Sequence, residues 1–472
     1  MFSNPHLTTP MNNFKPIGRK ATQIRVLLTD TNRWALSARL AMSLAEAGCH
    51  VEAICPSPRH ALMKTRAVQR IYKYSGFRPL ESLNSSIEAS EPDIIIPACD
   101  RSVAHLHQLH ARAKFGGVAE NKLTALIEHS LGSPASYAQV TSRYDLLLLA
   151  HEEGIRVPRM SPVKTSKDLD SWRTLGSCPS VLKADGTWGG RGVRIIRSPE
   201  EADHSFGDLA RMSRFSRAVK RLVVNRDSFS LRSWLKDPKP EVIIQSYIYG
   251  RPANCAVVCW EGRVLAAIAV EVVRSAGLTG PASVVHVVEN PEMLFAAERI
   301  ASRLGLSGFF GLDFMIEEGT NAAYLIEMNP RSTPPCHLRL DKGRNLADAL
   351  WAQLAGQPRP EDSPVTHSNV IAYFPQAFAG QEKVPEEAFL DIPHSEPELI
   401  QELLNPFPDN TFMFRLIQRL KGNQTETHTS DLLKNRAGDP LHTVGAVQGD
   451  SLAAVVDTTI EETVRKAKIS ST

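Results

Sequence analysis

The chain has 472 residues, which at roughly 150 residues per domain predicts about three domains. Its 54 Lys and Arg residues nearly balance 51 Asp and Glu residues. The formal charge of +3 therefore gives no reason to expect nucleic acid or an anionic membrane as a partner. A hydrophobic fraction of 42% with 22% charged residues is ordinary for globular proteins and excludes a wholly disordered or fibrous chain.

The cysteines and the N-terminal residues bear on the cellular compartment in which the protein is expected. The 7 cysteines form neither a Cys-x-x-Cys pair nor a Cys/His spacing typical of zinc sites, which favours a reducing environment. The opening residues are polar and contain proline, without the apolar segment of a signal peptide. The apolar runs at 146–150 and 266–270 are far shorter than the roughly 20 residues that cross a bilayer. We therefore expect a cytoplasmic protein with no membrane partner.

After a flexible N-terminus over residues 1–21, the pattern up to residue 133 predicts an α/β domain. Buried strands alternate with helices, which is typical of a parallel sheet. The predicted strands are 24–29, 50–55, 71–74 and 93–98, and the predicted helices are 34–47 and 80–89. The loop 29–34 lacks the glycine fingerprint of a dinucleotide site, so cofactor binding is not favoured there.

Residues 134–358 predict an α+β domain, because helices are interspersed with mixed strands and glycine loops. We expect helices at 143–153 and 290–304, and strands at 180–183, 192–196, 241–245, 253–260, 264–273, 311–316 and 323–329. A C-terminal extension over 359–420 contains a strand at 369–374 and a helix at 396–404. The polar residues 421–472 are expected to form a loosely ordered tail.

The strand 323–329 carries polar groups on a face where an apolar core would not favour them. Alternation places Glu327 and Asn329 together, with Arg331 continuing that face and with Ile326 and Met328 opposite. A hairpin would bring Asp313 of the preceding strand beside them. Carboxylate and amide oxygens suit Mg²⁺, and a guanidinium suits phosphoryl oxygens. The alternative is a solvent-facing strand with a weak surface ion pair between Glu327 and Arg331.

A second polar element lies upstream, where Lys183 precedes the glycine-rich loop 185–192. Its glycines allow backbone N–H groups to close over phosphates, although the loop has no Walker A ending. A mobile hairpin is the alternative interpretation.

The order of these motifs resembles the ATP-grasp superfamily from about residue 134 to residue 357. The motifs are Lys183 with its glycine loop, the stretch 243–250, Gly-Leu-Asp-Phe at 311–314 and Leu-Ile-Glu-Met-Asn-Pro-Arg at 325–331. The resemblance implies a Rossmann-like pre-ATP-grasp domain over residues 22–133. It also implies a two-subdomain ATP-grasp fold over 134–358, with a lid at about 180–250.

The same resemblance implies roles for individual residues. Arg331 would be catalytic, stabilising the transferred phosphoryl group, while Asp313, Glu327 and Asn329 would bind metal. The nucleotide would be bound by Arg143, Lys183, Gly186, Gly189, Gly190, Gly192, Gln245 and the backbone of Ser246 and Ile248. Gln245 departs from the family, since many relatives carry an acidic residue near this point. Arginine at position 143, where lysine is common, is chemically acceptable because it holds phosphate through two donors.

Other polar clusters have weaker assignments. Arg274 and His286 are substrate-side candidates, because family members often bind substrate near this turn. The basic stretch 211–226 is interpreted as a solvated face, and the histidines at 105, 107 and 110 as surface or packing residues. We expect Cys255 and Cys259 to be ordinary buried thiols.

The resemblance implies an ATP- and Mg²⁺-dependent ligase, with Mn²⁺ as an alternative metal. It would activate a small-molecule carboxylate as an acyl phosphate, which an amine attacks, and would release ADP and phosphate. Two alternatives stay open: a bicarbonate-activating enzyme like carbamoyl-phosphate synthase or a carboxylase, and a non-catalytic ATP-binding protein. The sequence leaves a homo-oligomer open and does not identify either substrate.

Overall fold

A computed structural model describes most of the chain between residues 23 and 404. The described residues are 23–32, 36–56, 59–113, 118–174, 178–185, 192–211, 242–275, 280–340, 344–359, 366, 368–378 and 383–404. The predictions for the N-terminal 1–21, the tail 421–472, the loop glycines Gly186, Gly189 and Gly190, and most of the basic stretch 211–226 lie outside them. Among the described residues, no helix combines the length and apolar composition needed to cross a membrane.

The N-terminal part forms the predicted α/β layer structure. Four parallel strands are ordered β3-β2-β1-β4. They are β1 (Arg25–Thr29), β2 (His50–Cys55), β3 (Val68–Lys73) and β4 (Ile94–Pro97), with helices α1 (Leu36–Glu46), α2 (Pro79–Ser90), α3 (Asp100–Ala113) and α4 (Val118–Leu131). Alternate residues of β1 enter two different cores, Leu28 on one face and Leu27 on the other. The carboxyl ends of these parallel strands therefore share one edge.

Two short helices lead into a smaller sheet. They are α5 (Tyr137–Thr141) and α6 (Arg143–Glu152). The sheet is antiparallel in the order β5-β8-β6-β7, with strands β5 (Met160–Val163), β6 (Ser180–Ala184), β7 (Val193–Ile196) and β8 (Val242–Ser246). Helices α7 (Ser166–Thr174) and α8 (Pro199–Arg211) cover one face, where Leu169, Trp172 and Leu182 form an apolar core. Because β5 belongs to this sheet, we propose that the lid begins before residue 180.

The largest sheet has seven strands in the order β13-β12-β9-β10-β11-β14-β15. The strands are β9 (Gly250–Trp260), β10 (Arg263–Ser275), β11 (Ala282–Val288), β12 (Gly308–Glu317), β13 (Ala323–Asn329), β14 (Val370–Tyr373) and β15 (Phe389–Asp391). The helices of this part are α9 (Pro291–Leu304), α10 (Leu346–Ala355) and α11 (Pro397–Leu404). Asn290 caps the start of α9 and Gly305 ends it in a left-handed conformation, as the local sequence predicts.

The C-terminal extension is built into this architecture, because β14 and β15 continue the large sheet beyond the expected boundary at residue 358. Buried Asp391 of β15 accepts hydrogen bonds from Arg39 of α1 at 2.5 Å and from His337 at 2.7 Å. Burial acts to raise the pKa of Asp391, but these two partners outweigh it and lower that pKa to about 2. The extension therefore joins the N-terminal layer to the large sheet.

Candidate active site

The acidic side chains of the site come from neighbouring strands of the large sheet. Asp313 of β12 lies directly opposite Glu327 of β13, as the predicted hairpin requires. The pairing then slips, because Phe314 pairs with Leu325 and leaves Ile326 as an extra residue on β13. This β-bulge reverses the alternation: Leu325 lies in the apolar core, and Glu327 still faces away from it. The expectation that Ile326 shares the buried face of Met328 is therefore not met.

Asp313 is held by two amides. Its Oδ1 accepts a hydrogen bond from Asn254 Nδ2 of β9 at 2.6 Å, and its Oδ2 accepts one from Asn329 Nδ2 at 2.9 Å. Burial and the neighbouring Glu327 raise the pKa of Asp313. Asn254 is missing from the sequence-derived set, since only the β9–β12 register reveals that it faces Asp313.

The side chain of Thr333 packs closely against Gly311 in the turn that follows β13. Thr333 lies so near Gly311 of β12 that a Cβ at position 311 would be 2.3 Å from the Thr333 methyl carbon. The Thr333 hydroxyl also donates to Asn254 Oδ1 at 3.4 Å. Glycine at position 311 is thus required for the chain after Asn329 to fold back over the strands.

Arg143 connects the two sheets. It is the first residue of α6, whose cap is Ser142, and its guanidinium donates to Asp185 Oδ1 at 2.9 Å and to Glu327 Oε1 at 2.6 Å. Burial acts to lower the pKa of Arg143, but the two carboxylates outweigh it and raise that pKa. The remaining Nε of Arg143 is buried without a hydrogen-bond partner. The contact of Asp185, the first residue of the glycine-rich loop, with Arg143 was not predictable from the sequence.

Lys183 reaches the same place from β6. Its Nζ donates to the carbonyl oxygen of the bulge residue Ile326 at 3.2 Å. Burial lowers the pKa of Lys183 to about 8, even though nearby Glu327 acts in the opposite direction. Within the described residues this is the one acceptor of the ammonium group, so further donors are available to a bound anion.

Arg331 closes the cluster on the side of the N-terminal layer. Its Nε lies 3.3 Å from Asp100 Oδ1, and its Nη2 donates to Asn329 Oδ1 at 3.1 Å. Burial acts to lower the pKa of Arg331, whereas Asp100 and other nearby groups outweigh it and raise that pKa. The structure thus brings together Arg143, Lys183, Asp313, Glu327, Asn329 and Arg331 from separate parts of the sequence.

Comparison with known proteins shows which family of folds this region resembles. Residues 147–335 match the model of an ATP-grasp domain. The chain contains an ATP-grasp domain. A search of curated protein sequences found no match.

Solved structures show the same fold at low sequence identity. An N5-carboxyaminoimidazole ribonucleotide synthetase bound to ADP superposes with a TM-score of 0.51 at 14% identity, covering 73% of this chain and 80% of that one. The ADP complex of N5-carboxyaminoimidazole synthetase from Staphylococcus aureus gives 0.50 at 15% identity, covering 74% and 82%. The biotin carboxylase domain of 2-oxoglutarate carboxylase from Hydrogenobacter thermophilus gives 0.50 at 16% identity, covering 72% and 71%. Likeness at this level establishes the fold alone.

The stretch at the end of β8, called the hinge here, carries the predicted nucleotide contacts Gln245, Ser246 and Ile248. Gln245 faces away from the lid core, because it pairs with Val181 on the side that carries Lys183. It is buried, and its Nε2 has no hydrogen-bond partner. The N–H of Ser246 donates to the Arg159 carbonyl at 2.9 Å, so this N–H is not available to a base. In the described part of the chain, the N–H of Ile248 has no partner and is available as a donor.

The remaining predicted site residues lie in other surroundings. The carbonyl of Gly192 accepts the N–H of Ala184 at the base of the β6–β7 hairpin. Arg274 donates to the Ala377 carbonyl of the C-terminal extension at 2.6 Å, and His286 is exposed opposite Glu271 of β10. The substrate roles of Arg274 and His286 therefore stay predictions.

The clusters interpreted as packing are consistent with that view. Cys255 and Cys259 are buried in the core behind the site. His105 bonds to the Tyr74 hydroxyl at 3.0 Å, and His107 stacks on Tyr137. The carboxylate partner that the sequence did not reveal for His110 is Glu128, at 2.7 Å.

The oxygens and basic side chains of this cluster suit Mg²⁺ together with a nucleoside triphosphate. No group of three His, Cys, Asp or Glu side chains suited to a metal occurs among the described residues. The predicted ligands are instead two carboxylates and one amide oxygen, which could hold Mg²⁺ together with phosphate oxygens, a coordination this metal commonly accepts. The unpartnered Nε of Arg143 and the spare donors of Lys183 supply groups for those phosphates.

Proposed function

We propose that this protein is an ATP- and Mg²⁺-dependent ligase, which activates a carboxylate as an acyl phosphate for attack by an amine and releases ADP and phosphate. One observation carries the proposal: the paired carboxylates of Asp313 and Glu327 lie between three cations that reach them from different elements. Those cations are Arg143 from α6, Lys183 from the lid sheet and Arg331 beyond β13.

The cations divide into two functional groups. Lys183 and Arg143 lie on the lid side, where they would bind and orient the phosphates of ATP. Arg331 is placed beyond the metal ligands, where its guanidinium would stabilise negative charge that grows as the γ-phosphoryl group moves. Burial acts to raise the pKa of Glu327, but Arg143 and Lys183 outweigh it and lower that pKa, so Glu327 is ionised and able to bind metal.

The reaction then needs two group transfers. A substrate carboxylate oxygen attacks the γ-phosphorus of ATP, the bond to the bridging oxygen of ADP breaks, and an acyl phosphate forms. The amine attacks the acyl carbon, phosphate leaves, and the amine nitrogen gives up its proton. The metal would supply charge neutralisation for the phosphate oxygens during the first transfer. Burial of the cluster between two sheets would protect the acyl phosphate from water.

The test is incubation with Mg²⁺-ATP and pools of carboxylic acids, amines and amino acids, with one arm containing bicarbonate alone. We expect acid-dependent ADP release together with a new amide mass. The matched control is Arg331→Ala, which should bind ATP and release little ADP. Bicarbonate-stimulated turnover without an organic acid would favour the carboxylase-like alternative. If ATP raises the melting temperature but no pool gives turnover, the result would support a non-catalytic ATP-binding protein.

A further inference from the structure

The N-terminal layer contacts the ATP-grasp site at one corner, between β4 and α3. The carbonyl of Pro97, the last residue of β4, accepts a hydrogen bond from the Ser332 N–H at 3.2 Å. Asp100, the first residue of α3, lies 3.3 Å from Arg331 Nε. Two contacts thus join this corner to two consecutive residues that follow the metal-binding strand.

The guanidinium of Arg331 is held on three sides. Nη1 donates to the Ser332 carbonyl at 3.0 Å and Nη2 to Asn329 Oδ1 at 3.1 Å, while Nε faces the Asp100 carboxylate. The carboxylate is the charged partner among these three. It lies in the first turn of α3, where the helix dipole attracts negative charge.

The exposure of the pair argues against a role in stability alone. The side chain of Asp100 is 40% exposed, whereas that of Arg331 is 18% exposed. Because the Asp100 carboxylate is more than a third exposed, solvent screens its attraction to Arg331, so removing the Asp100 charge costs little free energy of unfolding. Loss of this charge should affect the orientation of the Arg331 guanidinium more than it affects stability. Donors stabilise a transition state only when they are aligned beforehand.

We propose that Asp100 is a positioning residue through which the N-terminal domain aligns Arg331 for phosphoryl transfer. The inference rests on the proposed function, since it gives Arg331 the role assigned there. Asp100 contacts Arg331 Nε and leaves an N–H on each of Nη1 and Nη2 for the phosphoryl oxygens. Docking of the N-terminal domain and alignment of the catalytic arginine are then the same event.

The experiment measures binding of a phosphoryl-transfer mimic, ADP with aluminium fluoride and Mg²⁺, beside ADP and ATP. The wild-type protein should bind the mimic more tightly than ADP. Asp100→Asn should weaken binding of the mimic roughly tenfold, because misalignment costs less than loss of a whole oxyanion donor. Its affinities for ADP and ATP should stay within about twofold, and its melting temperature should be close to that of the wild type. Asp100→Glu should restore part of the lost affinity.

Two further variants separate positioning from docking. In the Arg331→Ala background, Asp100→Asn should have no additional effect, because Asp100 acts through Arg331. The matched control is Glu153→Gln, which removes the partner of Arg303, 3.0 Å away on another surface, and should leave all three affinities unchanged.

The outcomes are distinguishable. Equal weakening of ADP, ATP and the mimic by Asp100→Asn would show that Asp100 only docks the domain and would overturn the inference. If the wild type and Asp100→Asn bind the mimic equally tightly, the inference is overturned and the proposed function stands. A wild type that binds the mimic no better than ADP removes the phosphoryl-transfer role of Arg331, and both proposals fail.

Discussion

Replacing Lys183 by Met tests whether this buried ammonium group serves a ligand or the fold. Met has a similar length and no charge, so the variant removes the charge with little change in packing. The side chain is 6% exposed and has a carbonyl oxygen as its acceptor. We expect opposite effects on stability and on ATP binding.

The magnitude follows from the pKa. Burial lowers the pKa of Lys183 from 10.5 to about 8, and each unit corresponds to about 1.4 kcal/mol. The charged form is therefore about 3 kcal/mol more costly in the folded protein than in the unfolded chain at pH 7. That difference already includes the attraction of Glu327, and Lys183→Met also removes the hydrogen bond to the Ile326 carbonyl, so the variant should raise the free energy of unfolding by about 1–3 kcal/mol. It should weaken ATP binding at least tenfold, because a charge-assisted bond to phosphate is worth about 1.5–3 kcal/mol.

The sign of the pH dependence gives an independent check. Between about pH 8 and 10.5, this lysine is protonated in the unfolded chain and deprotonated in the folded protein. The free energy of unfolding of the wild type therefore rises with pH over this range. The difference in free energy of unfolding between Lys183→Met and the wild type should therefore decrease by about 2 kcal/mol between pH 7 and pH 9.5. Urea unfolding at both pH values and calorimetric titration with ATP at pH 7 make the measurement.

The control is Lys64→Met, which removes an exposed lysine 3.4 Å from Glu398 and should change neither property appreciably. Unchanged ATP affinity in Lys183→Met would refute the phosphate contact. A loss of stability at pH 7 would show that the charge of Lys183 supports the fold.

Three further predictions concern the metal ligand, the hinge and the C-terminal extension. Glu327→Gln should fold normally and lose Mg²⁺-dependent ADP release by at least about a hundredfold, and wild-type turnover across a Mg²⁺ titration would contradict its role as a ligand. Gln245→Met removes a buried donor that has no protein partner, so calorimetry should show about fivefold weaker ATP binding without loss of stability; equal affinity would show that this amide does not contact the nucleotide. Asp391→Asn should lower the free energy of unfolding by about 3 kcal/mol at pH 7, because Arg39 and His337 lose a buried counter-charge. In urea unfolding, the wild type should lose that stabilisation only as the pH falls from about 4 towards 2, since its carboxyl pKa is lowered; a loss near neutral pH would contradict this.

Local patterns in the sequence were enough to predict most of the described strands but fewer than half of the described helices, namely α1, α2, α6, α9 and α11. The strand Ala323–Asn329 has the predicted bounds, and the helix predicted at 143–153 spans Arg143–Glu152. Such predictions succeed because hydrophobic periodicity, caps and turn residues act over a few neighbouring positions. The spacing of Glu327 and Asn329 likewise identified a polar face without knowledge of the partner strand.

Contacts between distant segments required the tertiary structure. The bulge at Ile326 depends on the pairing of β12 with β13, and its carbonyl becomes the acceptor for Lys183 only through that slip in register. The role of Asn254 depends in the same way on the register of β9 with β12.

What the sequence by itself determined about this protein is the set of chemical groups and the elements that carry them. Only the tertiary structure placed Asp100, at the start of α3 in the N-terminal layer, beside Arg331, which follows β13 far along the chain. The physical reason is that propensity and periodicity act locally, whereas strand register and domain docking are fixed by packing over the whole molecule.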